Sequence, residues 1–416
     1  MPAPWLDCTV LHGAGLSAEM LILDGAHLVL PDRVLSPGRL VIDGDRISEI
    51  GPGSDGGALA GLWIVPGFID VHVHGLHGDD VLDGPGQVAT IARRLPRYGC
   101  TSFAPTTFAC PPDALEMLAQ SVEEAIGAPT LDSARVLPAH LESNFMAPDY
   151  RGAQPLEQLC LPPGAPGADA VPGTAIDFTG DDILRVVTAH RRAIGTMTLA
   201  PELPEALPLI RALTSQGIRV SLGHSGATLD HARAGIEAGA RQATHLFNRM
   251  PALTHRAPGL VGAVLDDDRV AVELVCDGYH VHPVVMRMAI RAKRPDRVMA
   301  ITDGLAGAGL PVGSRFLLGG RGATVQEHAC VLDDGTLAGS RLTMDRVFAN
   351  LVTLVGVTPI DAATMTATVP ARELGLTDRG KLAGGLLADL VLLDDAFCVR
   401  QTIIGGHIAY AHDVPR

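Results

Sequence analysis

The stretch Gly67-Phe-Ile-Asp-Val-His-Val-His-Gly75 decides how the rest of the chain is read. Apolar residues lead into His72 and His74, and a glycine ends the run. In a strand, residues i and i+2 point to the same face, so the two imidazoles leave it side by side. Such a pair is a natural holder for a divalent metal, although two polar caps on a buried strand would have the same spacing. Pro66 and Gly67 mark a boundary where one unit stops and another begins.

Downstream the pattern alternates. Short apolar, often β-branched runs at 68–74, 101–108, 135–142, 196–200, 219–224, 242–247, 270–276 and 297–302 read as strands. Helical patterns separate them, for example at 113–126, 181–194, 228–238 and 283–292. Asp181 and Thr228 have the chemistry of helix N-caps. Gly99, Gly195, Gly217 and Gly239 stand where helix C-cap glycines belong. Eight such units predict an α/β fold, a (β/α)8 TIM-type barrel over 67–379. The flanks read differently. Strands at 21–30 and 38–50, with Asp24-Gly25 and Asp43-Gly44 as hairpin turns, are matched by strands at 388–393 and 399–404 with a Gly405-Gly406 turn. Residues 1–66 and 380–416 are therefore expected to build one small β-sandwich domain from both ends of the chain. The Pro/Gly-rich segments 147–180 and 304–339 carry little pattern and are expected to be functional loops over the barrel mouth.

Composition narrows the function classes. With 47% hydrophobic and 19% charged residues the chain is globular. A net charge of −14 argues against general nucleic-acid or anionic-membrane binding, so any anionic substrate must be met by a few local cations. The seven cysteines include no C-x-x-C pair and mostly lie in apolar surroundings, which suits a reducing, cytoplasmic setting. No signal peptide or membrane span is read.

In a barrel of this kind reactive groups sit at the C-terminal ends of strands. Those ends carry His72 and His74, Glu142, His224, His245 and Asp303. Four histidines and two carboxylates facing one mouth suit Zn²⁺, with Fe²⁺, Co²⁺ and Mn²⁺ as alternatives. A bound ion acidifies water and polarises a carbonyl. Asp303 is placed to take the proton from that water and return it to a leaving nitrogen. The reaction class is hydrolysis of an amide-like C–N bond.

These motifs resemble the amidohydrolase superfamily and, within it, the N-acetylglucosamine-6-phosphate deacetylases. The resemblance rests on 66–75, His140-Leu-Glu142, Leu199-Ala-Pro-Glu202, Gly223-His-Ser225, Ala243-Thr-His-Leu-Phe-Asn248, Arg256-Ala-Pro-Gly259, Asp277-Gly-Tyr-His280, Thr302-Asp303 and Leu337-Ala-Gly-Ser340, and so covers nearly the whole chain. It implies that Glu142, His224 and His245 hold the principal metal and that Asp303 is the acid/base. His72 and His74 match members that keep a second metal site, giving one or two ions per subunit. It also implies a phosphate-recognition set of Asn248 and His280. Arg256 is expected to reach the substrate of the neighbouring subunit in a homodimer. The implied substrate is N-acetyl-D-glucosamine 6-phosphate, hydrolysed to D-glucosamine 6-phosphate and acetate. N-acetylgalactosamine 6-phosphate or another N-acyl amino-sugar phosphate is the alternative. Many two-metal members bridge their ions with a carbamylated lysine from the fourth strand. Here that strand has none, and Lys293 and Lys381 are the only lysines in the chain. This argues against a cyclic-amide hydrolase, and the complete ligand set argues against a non-catalytic scaffold.

Three positions depart from the family pattern. Ser143-Asn144 replaces a Gly-Pro pair and is expected to add polar groups within reach of the substrate. Gln154 stands where a carbonyl-polarising histidine is common, and its amide can still donate a hydrogen bond. Arg249 follows Asn248 where small residues are common, adding a cation near the expected phosphate.

Overall fold

The computed structural model describes residues 20–166 and 177–412. Cys8 and part of the expected mouth loop, 167–176, lie outside them. Eight parallel strands follow one another around the barrel: Phe68–Val73, Cys100–Thr107, Ala139–Glu142, Ile194–Leu199, Arg219–Leu222, Gln242–Ala243, Ala271–Val275 and Val298–Ile301. All but Gly195 and Arg219 at the strand starts are buried, as strands covered on both faces must be. The observed strands are shorter than the apolar runs. The third breaks after Arg135–Val136, ahead of Pro138, which has no N–H for a ladder.

The last strand closes on the first through the chain beyond its end. The Asp303 N–H donates to the His72 carbonyl at 3.1 Å, and the His74 N–H to the Gly304 carbonyl at 2.9 Å. Asp70 locks this seam from inside, accepting from the Thr302 hydroxyl at 2.6 Å. The seam therefore fixes His72, His74 and Asp303 relative to one another.

Helices pack outside. Thr228 caps Leu229–Ala238 as expected. The helix Gly180–Ala189 is capped not by Asp181 but by Thr179, in a capping box with Asp182. Gly99 and Gly239 end their helices at positive φ, but Gly195 lies inside a strand. The two chain ends build one seven-stranded sheet, in the order His407–Ala411, Val399–Ile404, Leu390–Leu393, Trp63–Pro66, Met20–Val29, Val34–Asp43, Arg46–Pro52, with an apolar core of its own. Gly44 and Gly405-Gly406 sit in turns as expected. Asp24-Gly25 does not. It lies within a strand at a register shift, where Gly25 takes φ 94°.

The segment 304–339 was expected to be a loop. Much of it forms a four-stranded antiparallel sheet: Arg315–Leu318, Arg321–Val325, Cys330–Leu332 and Leu337–Gly339. Its alternating buried side chains Phe316, Leu318, Ala323 and Val325 pack with Phe108 and Leu305 beside the barrel mouth. Five of the six described cysteines are buried and Cys398 is exposed. Among the described residues, no helix is long and apolar enough to cross a membrane.

Candidate active site

A cavity of about 460 Å³ opens at the C-terminal ends of the strands. His74, Glu142, His224, His245 and Asp303 line its floor. Glu142 Oε1 lies 2.9 Å from His224 Nε2 and 2.8 Å from His245 Nε2, and the two imidazole nitrogens are 3.0 Å apart. Beside them, His72 Nε2 and His74 Nε2 are 3.1 Å apart, with Asp303 Oδ1 at 3.5 and 3.4 Å respectively. Two sets of three side chains placed so that they could hold an ion, His72/His74/Glu142 and Glu142/His224/His245, thus share one carboxylate. His224, His245 and Asp303 have positive φ of 47°, 27° and 50°. Three non-glycine residues held in a sparsely populated region mark a site where geometry outweighs backbone preference.

The donor chemistry fits a cation. The Nδ1–H of His224 donates to the Tyr150 carbonyl at 2.9 Å, and that of His72 to Glu273 Oε2 at 2.9 Å. With Nδ1 so engaged, each ring turns its Nε2 onto carboxylate oxygens and another imidazole nitrogen, an arrangement that a shared cation resolves. Charge balance points the same way. Burial opposes the charged form of His72, but Glu273, then Asp303 and Glu142, outweigh it and lift its pKa to about 10. Burial also opposes ionisation of Glu142, yet His224 and His245 hold it well below the usual carboxylate range. Asp303 is kept low against burial by His74, His72 and His245.

Glu273 had no place in the sequence reading. It is buried, touches His72, accepts from the His245 N–H at 3.3 Å, and lies 3.5 Å from His140 Nδ1. Its signal was present: it is the lone charge within the apolar strand Ala271-Val-Glu-Leu-Val275, and a buried carboxylate needs partners.

The rim comes from loops. Asn248, Arg249 and His280 line the cavity with Phe108, Phe247 and Met250. Asp277 Oδ2 lies 2.5 Å from His280 Nδ1, which turns the ring's Nε2 away from the carboxylate. Arg249 lies across Gly152, where any Cβ would collide with the guanidinium. Burial and the nearby charge of Arg151 lower its pKa, and among the described residues neither arginine has a carboxylate within ion-pair distance. Arg256 is exposed further along the same connection as Asn248 and Arg249 and does not line this chain's cavity.

The departures at 143, 144 and 154 are engaged differently from expectation. Ser143 donates to the Thr198 carbonyl at 2.5 Å, and Asn144 donates to the Cys110 and Gln158 carbonyls at 2.9 and 2.6 Å. Both are buried and neither lines the cavity, so they brace the loop instead of reaching substrate. Gln154 lines the cavity but is only 2% exposed, with its amide bound to Ala109 and Glu142.

With this geometry in view, comparison with known proteins is decisive. Residues 63–409 match the Amidohydrolase family. The chain belongs to the amidohydrolase family. Among its relatives, the N-acetylgalactosamine-6-phosphate deacetylase of Escherichia coli O157:H7 is 38% identical, covering 83% of this chain and 87% of that one. The human N-acetylglucosamine-6-phosphate deacetylase is 34% identical, covering 99% and 96%. The crystal structure of N-acetylglucosamine-6-phosphate deacetylase from Pasteurella multocida superposes with a TM-score of 0.83 at 28% identity, covering 94% of this amidohydrolase and 100% of that chain. That of the Mycobacterium smegmatis enzyme in complex with N-acetyl-D-glucosamine-6-phosphate also gives 0.83, at 29% identity and the same coverage.

Proposed function

We propose that this amidohydrolase is a metal-dependent deacetylase that hydrolyses N-acetyl-D-glucosamine 6-phosphate to D-glucosamine 6-phosphate and acetate. The observation that carries the reading is the pair of three-residue sets meeting at Glu142 with Asp303 beside them, at the floor of a cavity whose rim carries Arg249 with no carboxylate in ion-pair distance among the described residues. Glu142, His224 and His245 would hold the principal ion, Zn²⁺ by donor type, and His72 and His74 with Glu142 a second. Such an ion polarises the scissile carbonyl and acidifies the attacking water.

The chain's own groups do the rest. Asp303, ionised at neutral pH, accepts the proton from water on Oδ1 as the new C–O bond forms. It returns that proton to the nitrogen as the C–N bond breaks, so the products leave as amine and acetate. Asn248, Arg249 and His280 orient the sugar phosphate at the rim. The two-domain division at 66/67 and 379/380, a cytoplasmic setting and a homodimer belong to the same reading. The exposure of Arg256 and of Leu253 on its loop supports a contact between subunits there.

Purified protein supplied with Zn²⁺ should release acetate from N-acetylglucosamine 6-phosphate; no release from any N-acetyl amino-sugar 6-phosphate would overturn the assignment. The 38% identity to an N-acetylgalactosamine-6-phosphate deacetylase favours that epimer as the second reading. The ratio of kcat/KM on the two sugars decides between them.

A further inference from the structure

The two ligand sets share Glu142, so the orientation of one carboxylate governs both. Gln154 controls that orientation. The Ala109 N–H can only donate, so the Gln154 atom 2.8 Å from it is the amide oxygen. The amide nitrogen then necessarily faces Glu142, an acceptor only, and donates to Oε2 at 2.6 Å. Both ends of a side chain 2% exposed are thereby used. Glu142 Oε1 is left to His224 and His245, while Oε2 is turned towards His74 Nε2, 3.6 Å away. One lone pair of Oε2 takes the amide proton and the other stays free for a cation.

The anchor of this clamp lies on the same side. Ala109 follows Phe108, whose ring stacks on His74 at 4.1 Å between centroids and 12° between planes. His74 Nδ1 has no hydrogen-bond partner, so stacking, not a hydrogen bond, sets that ring. His224 in the other set is instead fixed by the Tyr150 carbonyl. His245 also has no partner on Nδ1, but Gln154 is tied through adjacent residues to His74 alone.

We propose that Gln154 is a positioning residue that makes Glu142 a two-sided ligand, and so sets the affinity of the His72/His74 set for its ion while leaving the His224/His245 set nearly untouched. The inference rests on the metal-centre reading above, but its test uses no substrate, so a failed deacetylase assay and a failed clamp remain distinguishable.

Metal-stripped full-length protein is titrated with Zn²⁺ by calorimetry, and bound metal is counted after desalting by mass spectrometry. Wild type should take two ions per subunit. His74→Ala should take one, which assigns the weaker step. Gln154→Leu should keep the first step within about threefold and weaken the second by ten- to a hundredfold, the usual cost of losing a partner that orients a ligand. Gln154→Asn keeps an amide one methylene shorter, unable to reach both partners, and should shift the second step in the same direction. It carries the test if melting of the metal-free protein shows that the leucine variant does not fold. Two unaltered steps in the variants, equal loss of both, or a single ion in wild type would each overturn the proposal.

Discussion

The floor and the rim of the cavity are built on opposite principles. On the floor, side-chain orientation comes largely from buried partners: Glu273 for His72, the Tyr150 carbonyl for His224, Gln154 for Glu142 and the Asp70–Thr302 seam for the first and last strands. On the rim, the Arg249 side chain makes one hydrogen bond, to the Leu337 carbonyl at 3.2 Å, and has no ion pair among the described residues. The floor is finished before substrate arrives; the rim keeps charge in reserve for it. Damage to the floor should therefore change chemistry or metal content, and damage to the rim should change recognition alone.

The largest effect is expected at Asp303. Asp303→Asn removes the proton carrier without removing a ligand of the principal set, so kcat should fall by about 10²–10⁴-fold with metal content unchanged. A kcat near wild type would take Asp303 out of the chemistry. Next comes Glu273→Gln, which keeps shape but removes the charge that holds His72. Zn²⁺ affinity should drop by about 10–100-fold, read by competition with a chelating dye. An unaltered affinity would mean that floor orientation does not depend on the buried carboxylates behind it.

The rim gives a smaller and different signature. Arg249→Met should raise KM for the phosphorylated sugar by about 10-fold, the value of one charge-assisted hydrogen bond, with kcat within about twofold. The unphosphorylated sugar should be handled as by wild type. A kcat loss equal to the KM rise would place Arg249 with the floor and dissolve the distinction.

How much of this was legible follows the same line. The floor residues were readable because each stands at the C-terminal end of an apolar strand or within two residues beyond it, where barrel geometry leaves one direction to point. The supports were not. Glu273 signals a buried charge within an apolar strand but not which side chains it meets, Tyr150 acts through its carbonyl, and the reach of Gln154 to Ala109 depends on how a loop folds back across 45 residues of chain. Ser143 and Asn144 misled for a related reason: next to a ligand in sequence, they turn away from the cavity in space. The segment 304–339 was misread because its strands are three to five residues long and separated by tight turns, too short for alternation to register. The two-ended terminal sheet was legible because Met20–Val29 and Val34–Asp43 each run ten residues and Gly405-Gly406 marks a turn near the other end.

The smallest effect tests whether full partnering of buried charge is special to the floor. Asp80 sits just after the first strand, in the short hairpin Gly75–Leu76 with Asp79–Asp80, and is as buried as the floor carboxylates. Its Oδ2 has no partner, however, and Oδ1 receives only the Leu82 N–H at 3.0 Å. Burial, helped by the neighbouring charge of Asp83, pushes its pKa from 3.8 up to about 7. Between those two values the folded protein retains a proton that the unfolded chain has released. Stability therefore declines as pH rises through that window, and the loss is complete above about pH 7. Asp80→Asn keeps an acceptor for Leu82 and removes the charge. At pH 8 the variant should be more stable than wild type by roughly 1–3 kcal/mol, since one pKa unit is worth about 1.4 kcal/mol. The gap should close towards pH 4, as read from urea melts with metal content held constant. Equal stability of the two proteins at both pH values would show that Asp80 finds partners as good as those of the floor, and that under-partnered charge begins only with Arg249 at the rim.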